Sequence, residues 1–461
     1  MSRKNAAIAI LLILATLAYA RLPMTFTKGR RALEEGRYAD AAELFRETLK
    51  ARGVQARDEM RIRRSLVEAY IGLQEWEAAE EQLNRLIESS RRPQMKERLE
   101  ELRDIVAAPE DSAVYVRNLG PGVNTRHEEL APVISPDEQT LYFIREGDPA
   151  GEGKQDIFFS QRQGENWTEA RSVGPPLNTP GHDGILSISP DGTTALLAGV
   201  YQGRGVKTNG YSLANLRGGR WTDPRAMDIK DYYNNNNLTS AFLSSSGKVL
   251  LLALERNDSY GDLDIYASFL NPDGSWTAPA NLGPQINSSG TDGTPFLASD
   301  DKTLYFSSDG RIGLGSQDMY KAERQDDSWK KWSRPENLGK QVNSAGWDAY
   351  YTIPAEGNVA YFVSGAEGGR GLSDIWMIHL PQKARPQAVV TVSGKVMEPD
   401  STPVGADISW EKLSTGENMG IAASNDVTGE YMIILPVGES YGYVAQKEGY
   451  RPSSANLNLT D

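Results

Sequence analysis

Four acidic side chains recur at one position of a repeated stretch. Glu129, Asp183, Asp292 and Asp348 each stand six residues ahead of a Ser-Pro-Asp turn or its replacement. Carboxylates gathered at one place can hold a cation or a basic segment of a partner. Facing carboxylates are also the machinery of glycoside hydrolysis. A fifth copy has Leu238 there, beside the run Asn234 to Asn237. The same position equally suits an Asp that binds backbone amides and fixes the start of a strand, and that alternative stays open. No copy carries an acidic pair of its own with a division of acid and base roles, which ranks hydrolysis behind binding.

Other residue types offer less. The three histidines, His127, His182 and His379, form no HExxH pattern, so no metal is expected. No GxSxG nucleophile motif occurs, and no cofactor is expected. The glycines of Gly310 to Asp318 sit in a loop that recurs in other copies, which points to turn geometry rather than to a phosphate cradle. The chain has no cysteine, which excludes disulfides and thiol catalysis, and its net charge of −13 argues against nucleic acid as a partner.

The elements that must position these residues are short strands. Residues 130–145, 185–199, 239–254, 294–308 and 350–364 each read as strand, tight turn, strand. A third strand follows each ("QDIFFS", "NGYSLA", "LDIYAS", "QDMYKA", "SDIWMI"), and a Trp leads a fourth in four of them: Trp167, Trp221, Trp276 and Trp329. Four-stranded units repeated five times imply a five-bladed β-propeller over 113–382, with the segment near Ser112 to Gly120 completing the last blade. The first strand of a blade lies nearest the axis, so the four carboxylates are expected to ring one mouth of the channel. The unit resembles the WD40-like PD40 repeat of bacterial envelope proteins.

Residues 24–106 read as helices. "GRYADAAELFRETLKA" and "QEWEAAEEQLNRLIES" align at an offset of 38, matching Tyr38 with Trp76 and Ala41 with Ala79. This resembles two tetratricopeptide (TPR) repeats. Small Ala41 and Ala79 would let paired helices approach, Tyr38 and Trp76 would fill the space between repeats, and a helix near Gln94 to Ile105 would cover the end. Such arrays bind proteins in a concave groove. After the linker-like Pro381 to Ala388, residues 389–461 alternate apolar and polar positions. Their Ser393-Gly394-Lys395-Val396, Gly429-Glu430-Tyr431 and Lys447-Glu448-Gly449-Tyr450 resemble the carboxypeptidase regulatory-like domain, a prealbumin-like β-sandwich.

Arg3 and Lys4, an apolar run and Ala18-Tyr19-Ala20 read as a signal peptide over 1–20. The fold class is thus multidomain α+β. The order of modules resembles the PorE-type envelope proteins of the Bacteroidota, linked to type IX secretion and to the OmpA family, without their C-terminal OmpA-like domain. The resemblance implies a periplasmic, outer-membrane-associated, non-catalytic scaffold. Its partners would be envelope proteins held by the TPR groove and the propeller face, and peptidoglycan would be reached only indirectly. The alternative is a carbohydrate-binding or glycoside-processing propeller.

Overall fold

Strong helix formers fill residues 24–107, and the computed structural model of the protein folds them into five helices. The structure describes residues 23–460, apart from 52–53, 203–204 and 366–367; the expected signal peptide lies outside the described residues. Two compact units result. One holds the helices together with Ile312–Ser316 and Gly339–Gly346, and the other holds the remaining strands.

The helices are α1 (Met24–Glu34), α2 (Tyr38–Lys50), α3 (Ala56–Gly72), α4 (Trp76–Ser89) and α5 (Pro93–Ala107). α2 and α4 begin 38 residues apart, at Tyr38 and Trp76, as the repeat requires. Ala41 and Ala79 are fully buried. A Cβ on Gly72 would lie 2.3 Å from the Tyr38 ring, and one on Gly29 would lie 2.6 Å from Phe45. Glycine therefore lets each ring lie flat on a neighbouring helix. Trp76 is half-buried against the same core. The turns before α2 and α4 use the same left-handed backbone, at Gly36 (φ 71°) and Gln74 (φ 57°).

The second unit contains five antiparallel sheets that follow the repeat. Their inner strands are Glu128–Ile134, Ile185–Ile188, Ser240–Leu243, Asp292–Leu297 and Ala349–Thr352. Each touches the next, and the fifth touches the first, so the strands close a ring. Val116–Asn118 pairs with Asp374–His379 and supplies the outer strand of the fifth sheet from the N-terminal side. Apolar clusters fill the seams between sheets. Leu251, Ile265 and Leu304 with Phe306 pack one seam; Leu141, Phe143, Tyr361 and Ile375 pack another.

One detail differs from the sequence expectation. Trp167 and Trp221 do lead short outer strands, but in the third and fourth sheets the paired outer strands are Ala280–Asn281 and Glu336–Asn337. Trp276 makes isolated bridges to Leu270 and Ile229, and in the fourth sheet Trp332, not Trp329, bridges Arg324.

The C-terminal residues form a two-stranded sheet (Val389–Lys395 with Glu430–Pro436) and a four-stranded one. Ile408, Trp410, Ile433, Leu435 and Tyr441, drawn from both sheets, form one apolar cluster. The segment read as a loose linker is fixed. Ala384 is fully buried and its carbonyl accepts the Tyr305 hydroxyl at 2.7 Å, while the Gln387 amide donates to Asp300 at 2.9 Å.

Candidate functional site

The four acidic residues do begin inner strands, but they turn into the wall. Glu129, Asp183, Asp292 and Asp348 are all buried. Glu129 accepts the Thr125 amide at 3.1 Å and the Thr125 hydroxyl at 2.8 Å. Asp183 accepts the same two groups of Thr179, at 2.5 and 3.0 Å, and Asp292 accepts the Ser288 amide at 2.5 Å. Among the described residues, no three of these or other acidic or imidazole groups converge to hold a metal ion. The arrangement fixes the loop that enters each blade, which is the work of a carboxylate bonded to backbone amides.

Burial raises the pKa of all three of these carboxyls, Asp183 to about 6, with nearby Asp156 adding to the shift. Glu129 is the longest of the set and has a cation of its own. Arg145 donates to it at 2.8 Å, to Asp148 at 3.0 Å and to the Val123 carbonyl at 2.6 Å.

Two further devices, neither recognised from sequence, build this end of the ring. The Asn one residue before each bonding Thr or Ser clasps the third strand of the preceding blade. Asn178 accepts from the Ile157 amide and donates to its carbonyl, at 2.9 and 3.0 Å; Asn287 does the same to Ile265, at 2.8 and 2.9 Å. The recurring loop glycines pack on the next blade. A Cβ on Gly153, Gly261 or Gly371 would lie 2.4, 1.9 or 2.2 Å from the carbonyls of Gly181, Gly290 or His127. The spacing Asn-[Ser/Thr]-x-x-x-[Asp/Glu], present at 124–129, 178–183, 287–292 and 343–348, was the available signal.

What remains for a ligand is the rim. The residue before each buried carboxylate is Glu128, His182, Thr291 or Trp347, and Asn237 holds the matching place in blade three. Trp347 is 46 % exposed. Its ring packs edge-on against Tyr350, with centroids 5.6 Å apart. Tyr350 has a left-handed backbone (φ 57°), as do Ala131 and Thr294 at the same place in blades one and four. Such a conformation costs a non-glycine residue about 1–2 kcal/mol and concentrates at functional sites.

Tyr350 also lines the axial cavity with Ala131, Ile185, Phe242 and Phe296. That cavity is only about 60 Å³, room for roughly two waters. The Phe242 and Phe296 rings narrow it, 4.8 Å apart. A ligand larger than water is therefore held at the rim, where the sequence reading missed Trp347. The available signal was that Trp347 is the one large aromatic among the five rim positions.

Residues 32–99 match the tetratricopeptide repeat family, which marks the helices as a protein-interaction module in general terms. No curated protein matches the chain. Among solved structures, the chain is similar to the catalytic domain of a GH62 α-L-arabinofuranosidase from Coprinopsis cinerea, at 11% identity and TM-score 0.39, over 57% of this chain and 95% of that one. It is also similar to a GH43_12 protein from a capybara gut metagenome, at 10% identity and TM-score 0.38, over 77% and 90%. A third is the β-fructofuranosidase of Schwanniomyces occidentalis, at 10% identity and TM-score 0.36, over 75% and 83%.

Two expectations are corrected on this finding, that the chain is a non-catalytic scaffold and that it is not an enzyme. The structures it resembles are glycoside-processing enzymes by name, and neither expectation is carried forward.

Proposed function

We propose that the rim of the propeller-like region binds carbohydrate. The observation that carries this reading is the exposed Trp347, set edge-on against Tyr350, which itself lines a cavity too small to admit a sugar. The electron-rich face of an indole complements the C–H face of a pyranose or furanose ring. Around the rim, Glu128, His182, Asn237 and Thr291 present a carboxylate, an imidazole, an amide and a hydroxyl. These are the donors and acceptors that sugar hydroxyls require.

The test is titration of the whole chain with arabinose- and fructose-containing oligosaccharides, followed by Trp fluorescence and by release of reducing ends. Trp347→Ala is expected to abolish the response. Equal binding by the variant would sink the reading.

The finer organisation belongs to the same proposal. Residues 1–20 direct export to the periplasm, at the outer membrane. The modules run 24–106, 113–382 and 389–461, the second a five-bladed propeller and the last a regulatory-like sandwich. The PorE-type resemblance supports this arrangement through the order of the modules.

A further inference from the structure

The C-terminal strands carry a pocket that the carbohydrate reading does not use. Two turns build it. In residues 396–404 the Val404 amide donates to the Val396 carbonyl at 3.0 Å, the Glu398 amide donates to the Thr402 carbonyl at 2.8 Å, and Met397 bridges Pro403. In residues 447–450 the Tyr450 amide donates to the Lys447 carbonyl at 3.1 Å, and Gly449 takes the left-handed backbone at φ 84°. One bond ties the turns together: the Tyr450 hydroxyl donates to Glu398 at 2.5 Å. The Lys447 ammonium lies 5.3 Å from the centre of the Tyr450 ring. A Cβ on Gly429 would lie 2.9 Å from the Met397 sulfur, so glycine seats that side chain. The walls are thus fixed by the protein's own bonds, which lowers the cost of binding.

The pocket holds about 200 Å³. Its lining is mostly apolar, with Val396, Met397, Pro399, Val404 and Ala406. Val404 and Ala406 are buried, but Met397 and Tyr450 remain 40 % and 47 % exposed. Two large side chains left in water beside an apolar hollow gain free energy when a ligand covers them. Three charged side chains also line the pocket: Glu398, Lys447 and Arg451. Glu398 already accepts the Tyr450 hydroxyl. Neither Lys447 nor Arg451 forms an ion pair among the described residues, and both are exposed, at the mouth. On a chain of net charge −13, two cations against one carboxylate make a local excess of positive charge over an apolar floor.

We infer that this pocket binds a small carboxylate with an apolar tail. The volume has room for roughly six or seven water-sized groups, which suits a tail of about five carbons. The tail lies on Met397, Val404 and Ala406, and the head group meets Lys447 and Arg451 at the mouth.

The test uses the full chain with butanoate, pentanoate and hexanoate, read by saturation-transfer NMR, and hexanamide as the uncharged control. Saturable, roughly millimolar binding of hexanoate is expected. Affinity should rise about fourfold with each added methylene, and hexanamide should bind about tenfold more weakly than hexanoate. Lys447→Gln/Arg451→Gln should weaken hexanoate by about tenfold and leave hexanamide unchanged, at an unchanged melting temperature. Absence of saturable hexanoate binding, equal affinity for acid and amide, an unchanged hexanoate affinity in the double variant, or an equal loss of both ligands there would each overturn the inference. None of these outcomes bears on Trp347 and sugar.

Discussion

The side-chain amide of Asn124 bonds both backbone groups of Ile375, 251 residues away. It donates to the carbonyl at 2.8 Å and accepts from the amide at 2.9 Å. One carboxamide thus acts as an extra rung of sheet between the first and last blades. Asn118, on the closing strand of the fifth sheet, also donates to Asp374 of the neighbouring strand, at 2.7 Å.

Asn124→Ala leaves the buried Ile375 N–H without its partner, while the Ile375 carbonyl keeps the Leu119 amide at 3.2 Å. The orphaned donor costs about 1–3 kcal/mol, so urea denaturation should show a loss in that range. Asn178→Ala and Asn287→Ala should cost similar amounts, because they break the same pair at other seams.

Glycine is required at 261 for space rather than for backbone freedom. Gly261→Ala sets a methyl 1.9 Å from the Gly290 carbonyl, and backbone cannot yield as a side chain can. A loss of about 3 kcal/mol is expected. Gly247→Ala is the comparison. Its φ is 69° but nothing lies within 4 Å of the added carbon, so only the left-handed strain of about 1 kcal/mol applies. Thermal unfolding of both variants separates the two causes.

Asp301 ties stability to pH. Burial, with Asp300 beside it, pushes its carboxyl from 3.8 up to about 7, against the pull of Arg324; Glu417 adds to the rise. Its Oδ1 is buried without a hydrogen bond. The folded state holds this proton more tightly than the unfolded chain does. The group's contribution is therefore most favourable below about 3.8 and is lost as pH rises to about 7. Asp301→Asn imitates the protonated form. The wild type should lose more stability than the variant between pH 4 and 7, and the gap should be constant above that.

Gln74 occupies the left-handed turn that Gly36 fills in the first helical repeat. Gln74→Gly removes strain of about 1 kcal/mol, partly offset by the greater entropy of glycine in the unfolded chain. A small rise in melting temperature is expected, where most surface-to-glycine changes lower it.

Much of this fold was legible because the same physical task recurs in each blade. Asp156, Asp264 and Asp374 could be aligned by eye, and each accepts loop amides at the start of a third strand. The closing strand was legible from what the last copy lacked. The acidic positions were legible but their direction was not. Whether Asp183 faces the axis or the loop depends on Thr179 standing four residues upstream, a local bond that periodicity does not report. Trp347 was invisible for the opposite reason: it occurs once, and a search built on repetition passes over it. Its exposure follows from the wall beneath, where Tyr350 takes the packed position.

The central claim is that sugar binds at Trp347. Isothermal titration of the whole chain against arabinose- and fructose-containing oligosaccharides, wild type beside Trp347→Ala, tests it most directly. The account predicts saturable heat with the wild type and none with the variant, at unchanged melting temperature. Saturable heat of equal size from both proteins, or none from the wild type, would contradict it.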